Sequence, residues 1–201
     1  MKVSPLQLHK VTLEPSAQTV GVFGCALAAP ITVTELLKQS GEVATRFNIT
    51  LQLADASYVA GASHLVVATM HALRAFQRGT KRADVLGTEI LRFAAAQRQI
   101  TRALVLMGIK DETRNLGGVV VGASPKALGD AYQEFLTRTG AKDAPAVLEL
   151  TTPAKAAAIQ GLFEISSTEL EATATSRRQK DRYQALTRLV YERCALLGTS
   201  R

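Results

Sequence analysis

The chain has 201 residues, of which 47% are hydrophobic, 20% charged and 5% aromatic, with no Trp and a net charge of +7. That length gives one large domain or two small ones that fold with no disulfide or metal, and the near-average composition excludes a disordered, collagenous or coiled-coil chain. No run of 18 apolar residues is free of charge and no basic-then-apolar leader is present, so neither a transmembrane helix nor a secretory signal is expected.

In chain order, strands come first. Leu6 to Leu13 alternates imperfectly and stops at Pro15, and Thr19 to Ala26 is small, β-branched and aromatic. Thr32 to Gln39 is expected as a short helix ended by Gly41. Phe47 to Leu53 then places Phe47, Ile49, Leu51 and Leu53 on one face of a period-2 strand.

From Ser57 the period becomes helical. Ala62, Leu65, Val66, Thr69, Leu73 and Phe76 form one stripe, and Gly79 is the expected stop. Asp84 is expected to cap the next helix, with Val85, Leu86, Ile90, Phe93 and Ala94 inward. A helix over Gln97–Met107 follows, closed by Gly108 with Ile109 folding back in a Schellman cap. Gly118 to Gly122 reads as an apolar strand. Ser124-Pro125 and Thr152-Pro153 are N-cap and N1 pairs whose helices close at Gly140 and Gly161. Ser166 to Glu169 fits a capping box. Residues 173–182 are expected as a mobile basic linker before a terminal helix over Tyr183–Leu197. The order predicts a single α+β domain over residues 1–201, with a small, mostly antiparallel sheet packed against a central helical block.

The charge is concentrated. Residues 1–56 are neutral and residues 111–176 carry −4. Residues 57–110 hold eight basic side chains against Asp84 and Glu89, for +6, and residues 177–201 carry +5. Clustered cations fit a polyanionic partner better than a dispersed excess does, because neutralising phosphates requires cations in a cluster. On the helix after Ser57, positions 64, 71, 74 and 78 fall within an ~80° sector at 100° per residue. His64, His71, Arg74 and Arg78 are therefore expected to share a polar, partly basic face. Gln97-Arg98-Gln99 adds forked donors at the expected start of a helix, a place suited to an anion.

Catalytic signatures are missing from the pattern. The Gly122–Gly129 segment lacks Walker spacing, and no Gly-x-Ser-x-Gly elbow occurs. His64 and His71, seven residues apart, are too distant to share a metal. Glu89 is expected to pair with Arg92 or Arg98. Cys25 and Cys194, outside any Cys-x-x-Cys, are expected as free thiols in a reducing cytoplasm. No cofactor, metal or membrane partner is expected.

Several motifs then occur together in order. They are His64-Leu65-Val66-Val67-Ala68, Ala72-Leu73-Arg74-Ala75-Phe76, Gly79-Thr80, Gly87-Thr88-Glu89-Ile90-Leu91, Arg98-Gln99-Ile100 and Met107-Gly108-Ile109. Over about residues 57–122 the chain resembles the KEOPS/EKC regulatory subunit, the family of the PRPK-binding protein, and looks most like archaeal members. The resemblance implies a non-catalytic subunit of the complex that installs threonylcarbamoyladenosine on tRNA. Such a subunit binds and activates the KEOPS protein kinase/ATPase, meets other KEOPS subunits through it, and recruits tRNA by its 3′ CCA end. The RNA-binding candidates are Arg74, Lys81, Arg82, Arg98 and Gln99, with His64. A purely protein-interaction subunit with no RNA contact is the alternative. One departure is that Ala95-Ala96 stands where the family has Ser-Gly. Ala restricts the backbone to ordinary φ/ψ, so a more helical turn is expected there.

Overall fold

The longest strand sets the sheet. In this computed structural model, which describes residues 6–13 and 16–199, β2 spans Ser16–Leu27. Alternation sends its Val20 and Val22 to one face and its Phe23 and Cys25 to the other. β1 (Gln7–Leu13), β3 (Thr50–Asp55) and β4 (Asn115–Gly122) complete the order β1-β2-β4-β3, every pair antiparallel. The short β5 (Ala141–Asp143) pairs with Cys25–Leu27 of β2. Pro15, expected to end the first strand, lies outside the described residues.

Helices cover both faces. α1 (Val33–Phe47) and α5 (Pro125–Thr139) bury Leu36, Val43, Leu128 and Phe135 against the Phe23 face. The Phe23 ring packs on Tyr132 at 4.6 Å. It also lies across Gly118, where a Cβ would sit 2.0 Å from the ring, so β4 needs glycine there. The Val20 face is covered by α2 (Ala62–Gln77) and α3 (Leu86–Ala94), through Leu65, Ala68, Ala72, Ile90 and Leu91. Each such large apolar side chain contributes about 1.5–3 kcal/mol when buried. α4 (Ile100–Met107) packs on α3. α6 (Pro153–Leu162), α7 (Ser167–Thr173) and α8 (Gln179–Thr199) gather Ile159, Phe163, Leu186 and Val190 in a further cluster. The α+β architecture with an antiparallel sheet is the one expected. No helix among the described residues is long and apolar enough to cross a membrane.

Several expected boundaries move. α1 passes through Gly41 and ends at Asn48, which adopts φ 49 while Ile49 N–H bonds back to Ala44 O. The third strand consequently starts three residues later than expected. α2 is shorter than expected, because a 3-10 turn (Ala56–Tyr58) and Gly61 at φ 97 precede it. Asp84 does not cap α3; Val85 precedes the helix and is 63% exposed rather than inward. Gly108 does not form a Schellman cap. Its backbone is extended (φ −65, ψ 156), and a Cβ would lie 2.3 Å from Leu104 O. α6 runs past Gly161 and turns at Glu164, with φ 53. Ser166 accepts from Glu169 N–H, but the Glu169 carboxylate binds Arg193 instead of closing the capping box. α8 begins at Gln179, so the expected 173–182 linker narrows to residues 174–178.

Cys25 and Cys194 are free and buried in different clusters. Burial pushes each thiol up to about 12, so neither is a nucleophile at neutral pH.

Candidate functional site

Two helices end at one recess. α2 stops in a Schellman motif, with Gly79 at φ 67 and Thr80 N–H bonded to Ala75 O. α3 stops in the same motif, with Gln97 N–H bonded to Arg92 O and Ala96 N–H to Phe93 O. The left-handed residue there is Ala96, at φ 50. The expectation of a more helical turn is therefore overturned: the turn keeps its geometry and the alanine takes the strain, about 1–2 kcal/mol. Helix C-termini carry partial negative charge and favour cations, and Arg74 and Arg92 occupy the last turns.

The recess encloses about 490 Å³. α2 supplies His71 and Arg74, its C-cap is Arg78, the following loop supplies Arg82, α3 Arg92 and Phe93, and the next loop Arg98. The far wall is the end of α8, through Ala195, Leu197 and Gly198. Arg92 is the only one of the five guanidinium groups with a carboxylate at ion-pair distance among the described residues. Arg74 and Arg78 lie one helical turn apart, an arrangement that costs a helix a few tenths of a kcal/mol, about 0.2–0.5. A like-charged cluster of this kind is relieved by an anion.

His71 stacks on Phe93 at 5.6 Å. Burial, and then the neighbouring Arg74, push its pKa below the usual histidine value, so it is uncharged at neutral pH.

A buried pair fixes the rim. Arg92 Nη2 and Nε donate to Glu89 Oε1 and Oε2 at 2.6 and 3.0 Å. Both side chains are almost fully buried. The Glu89 carboxylate also accepts Ala83 N–H at 3.0 Å and Arg82 N–H at 3.3 Å. The loop bearing Arg82 is thereby tied to α3, and Arg92 Nη1 reaches the Gln97 carbonyl beside Arg98. The expected ion pair of Glu89 is thus formed with Arg92.

The RNA candidates separate by place. Arg74, Arg82 and Arg98 meet in the recess. Lys81 does not line it; its ammonium sits 4.8 Å over the Phe76 ring and 3.8 Å from Asp84. Gln99 is exposed at the start of α4, outside the recess. His64 is a correction, for it is fully buried and shares no surface with Arg74. Its Nδ1 accepts Ala60 N–H at 3.1 Å, so the proton is on Nε2, which donates to Ala94 O at 2.9 Å. Burial lowers its pKa to about 4. Its position on the helix is the expected one, but α3 and Phe163, the C-cap of α6, close over that end of α2.

Sequence reasoning left Arg78, Arg92 and the end of α8 off the list of binding residues. Arg78 was visible as the i+4 partner of Arg74. The α8 wall had no sequence signal, since it comes from a segment about a hundred residues away.

Among the described residues, no group of three or more His, Cys, Asp or Glu side chains could hold a metal ion. The fold and recess define a small α+β protein with a cluster of arginines at the ends of α2 and α3. The family model of the kinase binding protein CGI-121 matches residues 32–198, from the N-cap of α1 to the recess wall on α8, and the chain belongs to that family. The match supports a kinase-binding regulatory role. No curated protein matches the chain.

Proposed function

We propose that this protein is the kinase-binding regulatory subunit of KEOPS, of the archaeal type, and that it holds the 3′ CCA end of tRNA in the arginine recess. The observation that carries the RNA part is the convergence of Arg74, Arg78, Arg82 and Arg98 on one cavity, with no carboxylate at ion-pair distance from any of them among the described residues. Guanidinium forks match phosphate oxygens and base edges, and single-stranded RNA ends are held by such contacts together with stacking. The cavity has the volume of a small-molecule pocket, enough for a nucleotide-sized group.

The test compares tRNA with and without its CCA tail. Trimming CCA is expected to abolish most binding, and Arg98→Ala is expected to cost about 1–3 kcal/mol of affinity with no change in melting. Equal binding of the two tRNAs would remove the RNA role and leave a protein-interaction subunit.

A further inference from the structure

We infer that the first half of α8 forms a second RNA surface, a cationic groove that takes the phosphate backbone of the same tRNA. This rests on the tRNA reading above. The groove is open, about 890 Å³, and lies between α8 and the start of α2. Its α8 wall presents Lys180, Tyr183, Arg188 and Tyr191, and its opposite wall includes Gly61 and Glu149.

Three observations favour a polyanion there. First, groove and recess share one stripe of α8. Positions 184, 188, 191, 195 and 198 fall within roughly 80° at 100° per residue; the first three line the groove and the last two line the recess. Along α2 the two sites are separated by the rise from Ser63 to Arg74, about 16 Å. A chain seated in one is therefore led along the same helix face to the other.

Second, Lys180 and Arg188, the two cations on the groove wall, have no carboxylate at ion-pair distance among the described residues. Arg193, off that stripe, is bound to Glu169 at 2.7 Å. Glu149 is the one acidic side chain on the groove walls, against Lys180 and Arg188. Third, no side chain caps the α2 N-terminus at Gly61, so its partial positive charge adds to the groove.

The lining sets Ser63, Thr151, Gln184 and Thr187 beside the apolar Ala60 and Leu150. The two unpaired cations among these hydroxyl and amide groups suit a hydrated phosphodiester chain, and the tyrosine rings offer surfaces to sugars and bases.

The experiment measures binding of the full chain to CCA-ended tRNA and to a short CCA-ended single strand, across a salt series. The groove variant Lys180→Glu/Arg188→Glu is expected to bind tRNA about tenfold more weakly. Its salt slope should fall by about two, with the short strand bound as before. The recess variant Arg98→Ala is expected to weaken both ligands. Unchanged tRNA affinity and slope in the groove variant would overturn the inference, as would equal losses on both ligands. Loss of kinase capture with tRNA binding intact would give the groove to a protein and also overturn it. If CCA removal from tRNA changes nothing, the recess reading fails, while a loss confined to the groove variant still supports the groove. Should the reversed pair melt early, Lys180→Gln/Arg188→Gln carries the test, with a smaller loss of the same sign.

Discussion

His64 shows how a side chain suited to a surface becomes a structural staple. Its two ring nitrogens bond Ala60 N–H and Ala94 O, and its edge meets Phe163 at 5.7 Å, so one imidazole joins the start of α2, the end of α3 and α6. The arrangement requires the neutral ring, because a proton on Nδ1 would face the Ala60 N–H. In the unfolded chain His titrates near 6.5, whereas in the fold burial lowers it to about 4. Between those values the unfolded state binds the extra proton, so stability rises with pH. Stability is thus expected to fall as pH drops from 6.5 towards 4, by an amount on the order of 3 kcal/mol from this group. Urea midpoints at pH 7 and pH 5 should differ more for the parent than for His64→Gln, and equal differences would refute the assignment. Ala96 makes the opposite case, a small side chain held where glycine is at ease. With φ at 50, Ala96→Gly removes Cβ strain while adding unfolded-state freedom. A net gain of about 1 kcal/mol is expected in denaturant melts, and the proposed tRNA binding should not change, because the turn already has the left-handed geometry glycine favours.

Elements here are held at their ends, and the ends differ in whether neighbouring residues or distant ones hold them. Glu89 is the clearest distant case. It sits inside α3, yet it satisfies backbone N–H groups of residues 82 and 83 in the loop before the helix, while no side chain caps the first turn of α3 itself. Arg92 neutralises it in a site both share. Glu89→Ala leaves a buried guanidinium without its partner and should cost about 3–5 kcal/mol. Removing both charges in Glu89→Ala/Arg92→Ala should cost less than the sum of the single losses, a coupling that a double-mutant cycle reads directly. The same contrast explains what could be read in the sequence. Ser124, Thr152 and Ser166 each accept from an N–H three residues on, and Gly79 and Gly140 take positive φ, so these ends were legible from neighbouring residues. The end of α1 was not, because Gly41 makes no turn and the chain continues until Asn48 adopts the left-handed conformation. The start of α3 was not, because Val85, which has no capping side chain, takes the N-cap position that Asp84 was expected to hold. β4 was read from its apolar half alone, since Asn115 and Leu116 enter the strand only by pairing with Ala26 and Cys25.

Over the whole molecule, the charge blocks of the sequence become places. The +6 block supplies α2, α3 and the arginines of the recess, and the +5 block supplies α8, whose uncharged end walls it through Ala195, Leu197 and Gly198, so segments far apart in the chain meet at one recess. That convergence was legible only as two separate basic segments, because nothing local indicates that α8 returns to α2. The same block also carries an apolar feature of another kind. Leu104 and Val105 on α4 are 45% and 68% exposed, and α4 begins directly after Arg98 and Gln99. Large aliphatic side chains left in water beside a polar rim mark a protein interface, and for a member of a kinase-binding family the kinase is the partner to test there. Since two adjacent exposed side chains on one helix carry it, Leu104→Glu/Val105→Asp should destroy the face without disturbing the core, where Ala103 and Met107 point. Kinase capture in a pull-down is expected to fall at least tenfold, about 1.4 kcal/mol or more, with tRNA affinity and melting held. Arg98→Ala should do the reverse. Joint loss of both partners in either variant would mean that kinase and RNA read one surface, and the short step from Arg98 into α4 would then be the place where their binding is coupled.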